Sequence, residues 1–533
     1  MENWDYIVVG AGSAGAVLAE RLSAVPANNV LLIEAGPEDR HFLFRIPKGF
    51  GKLLGRPEFS WYFPVAGNAS NNNREAVWIR GKALGGSSSV NGMVYTHGQP
   101  EDYDGWEAEG LTGWGWKEMK RCFCALEDHN LGADESRGAG GPLKVTAHSE
   151  PDPVCDAFIA AGTALGLQKR NDINRESQEG IAYVTRTIAG GVRMSSARAF
   201  LQPHRNRSNL TIRTGIEIDR VRFEGKRAVA VEGRDAGGKA VIFHAKGEIV
   251  LSAGAIQSPL ILQRSGIGPA PLLQRLGIEV LQDSPDVGQN MREHYMLMLN
   301  YQLKDWRLSY NRSFAGWRLA LHMLRYLTSR TGPMANGSQD VIAFIRSDPS
   351  LNRPDAEILG AAWSVDAMGA MEKQPAMHLF SYPLRPESTG SVELTTATPG
   401  APPLIQPRYL TAEADRRSTI NGFRFMRRLM ATHPMADLVV AETQPGPVVQ
   451  TDDEILDAYR RMGQAGYHAA GTCRMGGDSD TRSVLDKRLR VRGVQGLRVC
   501  DISVMPSLIS GNTNGPAMAM GWRLSEMMHE AAV

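Results

Sequence analysis

Cysteine is scarce in this 533-residue chain. Cys122, Cys124, Cys155, Cys473 and Cys500 are too few and too scattered for a disulfide framework or a zinc site, so buried free thiols are the expected state and no metal is expected. Cys122 and Cys124 stand two apart, which is not the C-x-x-C spacing of a redox pair. An excess of charge is also missing: 59 Lys and Arg face 57 Asp and Glu, and a formal net charge of +2 gives no reason to expect nucleic acid or an anionic membrane as partner. No apolar stretch is long enough to span a bilayer, and no basic segment with an apolar core precedes the first strand-like run at Tyr6. A cytoplasmic protein acting on a small molecule is the expectation. Repeats and low-complexity tracts are absent, and so is the G-x-S-x-G pentapeptide that a Ser-His-Asp hydrolase of the elbow type would need.

What is present begins at the first residues. Tyr6 to Val9 is a β-branched run that stops at glycine, and Gly10, Gly12 and Gly15 form G-x-G-x-x-G. Ala14, Val17, Leu18 and Leu22 follow at helical spacing, so strand, turn and helix come in the order a dinucleotide-binding unit requires. The glycines permit a tight turn, close approach of a pyrophosphate and close packing of helix on sheet, and the helix N-terminus offers free amides. A second strand, Val30 to Ile33, ends at Glu34, placed to accept from the ribose hydroxyls of an adenosine and to repel a 2′-phosphate. NADP is disfavoured; NAD and FAD both remain open on this motif alone.

Further along, residues 80–106 are rich in small residues yet interspersed with Ala83, Leu84, Val90, Met93 and Val94, which suits an extended segment that a planar ligand touches through its backbone. Residues 248–254 read as another strand ending in small residues, followed by a helix beginning around Pro259 to Leu262, and 210–225 and 227–235 alternate like paired strands. From 293 to 453 the character changes. Segments 341–345, 378–384 and 391–394 alternate apolar and polar residues, with amphipathic helices around Trp317 to Leu327 and Ile420 to Met430, which suits a mostly antiparallel sheet backed by helices. Trp306, Trp317, Trp363, Met323, Met368 and Met371 in this region are expected in the core rather than on a substrate.

Two long stretches, Gly81 to Asp104 and Gly254 to Gly268, resemble the two signatures of the glucose-methanol-choline family of flavoprotein oxidoreductases, and the opening unit and the C-terminal segment are similar as well. The resemblance implies FAD and an α/β fold: a Rossmann-like FAD-binding domain with an interleaved α+β substrate domain on a mostly antiparallel sheet. It divides the chain into 1–292, mainly FAD-binding; 293–453, mainly substrate-binding; and 454–533, returning to the FAD domain with the catalytic pair. It also implies FAD contacts from Gly10, Gly12, Ser13, Ala14 and Gly15 with Glu34 and Ala35, and from Gly81, Gly85, Gly86 and Ser87. Asn91, Gly92, Met93 and Val94 continue the set, Ile218 and Ala253 lie at the adenine end, and Tyr467, Asp501, Ile502, Asn512 and Thr513 complete it. Val90 occupies the position where some members carry a histidine covalently bound to FAD, so non-covalent FAD is expected.

By the same resemblance His468 matches the essential active-site histidine and Asn512 the second catalytic position, with Asn514 as the neighbouring alternative. The chemistry agrees: oxidising an alcohol removes a hydride and a proton, FAD accepts the hydride, and the proton needs a base near neutral pKa. An imidazole supplies that base, while an asparagine amide orients the oxygen without titrating. The expected reaction is oxidation of a primary alcohol, preferably aromatic or heteroaromatic, to an aldehyde. Oxygen or a quinone-like compound would be the acceptor. Choline or sorbose-type dehydrogenase is the alternative, and an FAD-containing hydroxynitrile lyase the alternative of another class.

Overall fold

Burial on both faces organises the first sheet. In the computed structural model, which describes residues 3–147, 151–366 and 369–530, the strand Asn3–Val9 runs parallel to Val30–Glu34 on one side and to Ala240–Leu251 on the other. Ile7, Val8 and Val9 are buried, as is every residue of Val30–Glu34, which is why both read as unbroken apolar runs. Between them the helix Ser13–Ser23 covers one face of the sheet. The strand order is Leu210–Thr214, Val30–Glu34, Asn3–Val9, Ala240–Leu251, Arg227–Asp235, Ile216–Glu224, and Leu497–Val499 joins Ala240–Leu251 in parallel along Ile249 to Leu251. The last helix, Asn514–Glu530, lies on Ser13–Ser23 so closely that a Cβ on Gly521 would stand 2.6 Å from the Ala14 carbonyl oxygen.

The second sheet is antiparallel throughout: Val439–Gln444, Tyr295–Leu303, Ala376–Pro383, Ala356–Ala361, Val341–Ile345 and Gly180–Tyr183, with Gln464–Ala465 joined to the start of Tyr295–Leu303. The alternating pattern of its segments suggests one solvated face, yet Val341–Ile345, Ala356–Ala361 and Ala376–Pro383 are buried at every position. One face packs on the helices Pro153–Ala164 and Glu413–Met430, and the other carries Leu359, Phe380 and Tyr382 toward an internal cavity. Ser391–Glu393 stays out of this sheet and pairs with Leu404–Gln406 instead. Gly180–Tyr183, from the N-terminal region, belongs to the second sheet, and Leu497–Val499, from the C-terminal region, to the first.

Three local expectations are revised. The segment after Gly81 is not uniformly extended, because Gly85 and Gly86, at φ 92° and 52°, turn it into a short 3-10 helix, Gly86–Ser89. The helix expected from Pro259 begins five residues earlier, at Gly254, where Asp501 accepts from the Gly254 amide and the Ser258 hydroxyl. Trp317 is 68 % exposed rather than in the core, whereas Met323 is partly buried. Met368 lies outside the described residues. All five cysteines are free, and among the described residues no cluster of His, Cys, Asp or Glu could hold a metal ion.

Candidate active site

A cavity of about 440 Å³ opens at the C-terminal edge of the first sheet and continues to the inner face of the second. At one end the turn after Asn3–Val9 supplies Gly10, Gly12, Ser13 and Ala14, and the neighbouring strand ends in Glu34 and Ala35. Gly12 adopts an extended conformation with nothing within 4 Å of where a Cβ would stand, so the protein leaves that space to the cavity. Gly15 does not line the cavity. A Cβ there would stand 2.0 Å from the Gly10 carbonyl oxygen, so this glycine serves the packing of helix on turn. The Glu34 carboxylate accepts from the Ala11 and Gly36 amides, both at 2.9 Å, while burial pushes its pKa up to about 7.

Gly81, Gly86, Ser87, Asn91, Gly92, Met93 and Val94 line the middle of the cavity, and Gly85 lies behind them against Ser89 and Ala197. Asn91 Oδ1 accepts from the Met93 amide and from Arg193 Nη1, holding Met93 in its left-handed conformation. Ile218, Ala253, Asp501, Ile502, Thr513 and Tyr467 also reach the wall. Three helices, Ser13–Ser23, Gly254–Arg264 and Asn514–Glu530, aim their N-termini at this space through Ser13, Gly254 and Asn514. Converging helix N-termini, an open glycine at Gly12 and a carboxylate at the far strand end suit an elongated dinucleotide with an anionic centre. The residues therefore fit FAD.

At the other end His468 and Asn512 meet, with Asn512 Nδ2 3.2 Å from His468 Nε2. Asn514 turns instead toward the N-terminal unit, where Ser13 Oγ donates to its Oδ1 at 2.7 Å. Three further residues complete the setting. His294 Nε2 lies 2.9 Å from the Leu384 carbonyl oxygen, and His294 Nδ1 lies 2.9 Å from His468 Nδ1. A carbonyl only accepts, so His294 carries its proton on Nε2 and presents a lone pair at Nδ1. His468 must then donate from Nδ1, which leaves the lone pair on Nε2, facing the Asn512 amide donor. Both rings are neutral: burial brings His294 down to about 4, and burial, reinforced by His294 and Arg80, holds His468 well below the ordinary imidazole range.

Glu293 grips the same loop through its backbone. Its oxygens accept from the His468 amide at 2.6 Å and the Ala469 amide at 2.9 Å, and Arg80 stands 3.6 Å away. The third residue is Glu357, fully buried behind Tyr382, its cross-strand neighbour, with a pKa pushed up to about 8 by burial. The sequence gives little sign of this group. Glu293 and His294 sit in a polar stretch before Tyr295–Leu303, and only the change of character at residue 293 marks the place. From the second sheet and the loop before it, Met296, Met298, Ser338, Gln339, Leu359, Phe380 and Tyr382 line the wall, all uncharged.

Comparison with known proteins shows the family. Residues 4–296 match the N-terminal and residues 386–521 the C-terminal family model described as GMC oxidoreductase. The chain is 36 % identical over 531 residues to an oxygen-dependent choline dehydrogenase of Vibrio vulnificus (strain YJ016), covering 99 % of this chain and 94 % of that protein. It is 37 % identical over 532 residues to an alcohol dehydrogenase [acceptor] of Pseudomonas putida, covering 98 % and 95 %. Among solved structures, pyridoxine 4-oxidase from Mesorbium loti superposes with a TM-score of 0.90 at 31 % identity, over 99 % of both chains. With more than half its length matched by that family and a cavity shaped for the dinucleotide, the chain belongs to the GMC oxidoreductases, and its cofactor is FAD.

Proposed function

We propose that the protein oxidises a primary alcohol, carried on an aromatic or heteroaromatic ring, to the aldehyde, with His468 as base and Asn512 as orienting donor. FAD, held without a covalent bond to the segment around Val90, supplies the hydride acceptor. The observation that carries the reading is the paired approach of an imidazole lone pair and an amide donor at one point of a cavity wall. A hydroxyl placed there donates its proton to His468 Nε2 while its oxygen accepts from Asn512 Nδ2. The His294 lone pair keeps the His468 proton on Nδ1 and so keeps Nε2 free, and Glu293 fixes the loop that presents the ring. The proton taken from the alcohol stays on Nε2 until product leaves.

The substrate preference rests on the wall contributed by the second sheet. Its lining residues carry no charge, and Phe380, Tyr382, Met296 and Met298 suit a flat ring. The similarity to a pyridoxine oxidase supports the same choice. Choline is the second reading, favoured by the 36 % identity to choline dehydrogenases, but its cation calls for an aromatic cage beside a carboxylate. The acidic residues that line the cavity, Glu34, Glu217 and Asp501, come from the other sheet and its connections.

An anaerobic titration tests both choices. Benzyl, furfuryl and pyridylmethyl alcohols are expected to bleach the flavin absorbance faster than choline. Faster bleaching by choline would reverse the substrate assignment, and an intact flavin that no alcohol bleaches would favour a lyase. Readmitting oxygen, or a soluble quinone, to the bleached protein identifies the acceptor.

A further inference from the structure

Between Asp305 and Asp340 the chain carries five arginines and no carboxylate, a local imbalance hidden by the near-neutral total. The helix Gly316–Ser329 lies in the middle of this stretch. At 100° per residue, Leu327, Ala320, Leu324, Trp317, Thr328 and Leu321 fall in that order within one arc of about 120°. The arc faces outward: Trp317 is 68 % exposed, Leu321 53 %, Leu324 59 % and Leu327 58 %. The opposite side, Tyr326 with Leu319 and Met323, packs against Ile46, Met334 and Phe314. Arg325 and Arg318 border the apolar arc on one flank, Arg318 over the Trp317 ring at 5.3 Å. Neither Arg318, Arg325 nor Arg330 makes an ion pair among the described residues.

Burial in the fold does not account for an amphipathic helix that turns its Trp and Leu residues to solvent and its tyrosine to the protein. Apolar residues outward, arginines along the border and no acidic residue in the helix are instead the features of a helix that lies in the headgroup layer of an anionic bilayer. We propose that Gly316–Ser329 seats the protein on such a surface, with Trp317, Leu321, Leu324 and Leu327 in the acyl boundary and Arg318 and Arg325 on lipid phosphates. At 14 residues the helix is about 21 Å long, shorter than the apolar thickness of a bilayer, so it lies along the surface rather than crossing it. The chain continues from this helix to Ser338 and Gln339 in the cavity wall, and Phe50 and Leu54 line the same cavity from the segment that follows Ile46. The docked face thus stands beside segments that border the cavity.

Sedimentation of the FAD-loaded protein with vesicles tests this. Binding to vesicles containing phosphatidylglycerol, weak binding to pure phosphatidylcholine and release by salt are expected. The triple change Trp317→Ser, Leu321→Ser, Leu324→Ser should lower partitioning at least about tenfold while flavin content is kept, because every altered side chain is exposed. The double change Arg318→Gln, Arg325→Gln should remove the preference for anionic lipid and provides a separate reading if the triple variant folds poorly. Protein that stays in solution with anionic vesicles would overturn the proposal. So would a dimer in sedimentation equilibrium that the triple change dissociates, since a second copy would then cover this face.

Discussion

The two ends of the cavity are built by different means. At the glycine end the wall is mostly backbone and small residues, and Gly10, Gly12, Ser13, Ala14 and Glu34 contribute to it from a single strand-helix-strand unit. At the histidine end side chains do the work, and they come from distant points: His294 and His468 are 174 residues apart, and His468 and Asn512 are 44 apart. A site made of backbone is written locally and can be read as a motif. A site made of side chains exists only after the two sheets have come together.

If the comparison holds, the two ends fail in different ways, and the largest effect belongs to the base. His468→Ala should retain FAD but slow anaerobic flavin reduction by about 10² to 10⁴-fold, the range for a positioned base. Near-normal reduction in stopped-flow with FAD still bound would remove His468 from the mechanism. Because the neutral ring is already favoured by burial, reduction in the parent should be level across neutral pH and fall only well below the usual imidazole range.

At the glycine end chemistry and binding should fail together. Gly12→Val is expected to fold, since the Cβ meets nothing in the protein, yet to lose FAD affinity by on the order of 10²-fold as the side chain fills the space of the pyrophosphate. Gly15→Val, by contrast, should fail to accumulate as folded protein, because its Cβ would collide with the Gly10 carbonyl. Flavin fluorescence released on dialysis, together with circular dichroism, separates the two. Equal behaviour of the two variants would break the assignment of one glycine to ligand and the other to packing.

A smaller effect is expected from the tautomer relay. His294→Leu removes the acceptor for the His468 Nδ1 proton and should slow reduction by about ten- to a hundredfold. His294→Asn, whose carbonyl oxygen can take the place of Nδ1, should recover much of the rate, which a purely structural role would not produce. The pH profile is the second readout, since the acid limb should move in His294→Leu and return in His294→Asn.

The histidine end also left little trace in the sequence, and particular residues show why. Strand, glycine turn and Glu34 were legible because each rests on a local rule of period or conformation. His468 and Asn512 were legible only through resemblance, since one histidine among twelve carries no intrinsic mark. Glu293 and His294 were marked only by the change of character at residue 293, because their roles depend on a loop 174 residues away. The amphipathic period of Gly316–Ser329 was readable, but a period reports that a helix has two faces and not which of them meets solvent.

The smallest predicted effect concerns Glu357. Its pKa rises from an ordinary 4.5 to about 8 in the folded protein, so the folded state holds a proton that the unfolded state releases. The associated stability is full below about pH 4.5 and is lost as pH rises through about 8. Relative to Glu357→Gln, which does not titrate, the parent should lose stability of order 1 kcal/mol or more between pH 5 and 8, measured by thermal unfolding. A constant difference across that range would mean that the carboxyl is ionised when folded.

The path of the chain between the sheets sets a limit on recombination. It starts in the first sheet, adds Gly180–Tyr183 to the second, returns for 210–251, crosses again for 295–465 and ends with Leu497–Val499 back in the first. A substrate pocket therefore cannot be transplanted by exchanging one continuous gene segment with a relative, because any single cut leaves strands of one parent hydrogen-bonded to strands of the other. Chimeras must replace Gly180–Tyr183 together with the middle region, or respecify the pocket by point changes at Met296, Met298, Phe380 and Tyr382 while leaving the interwoven frame intact.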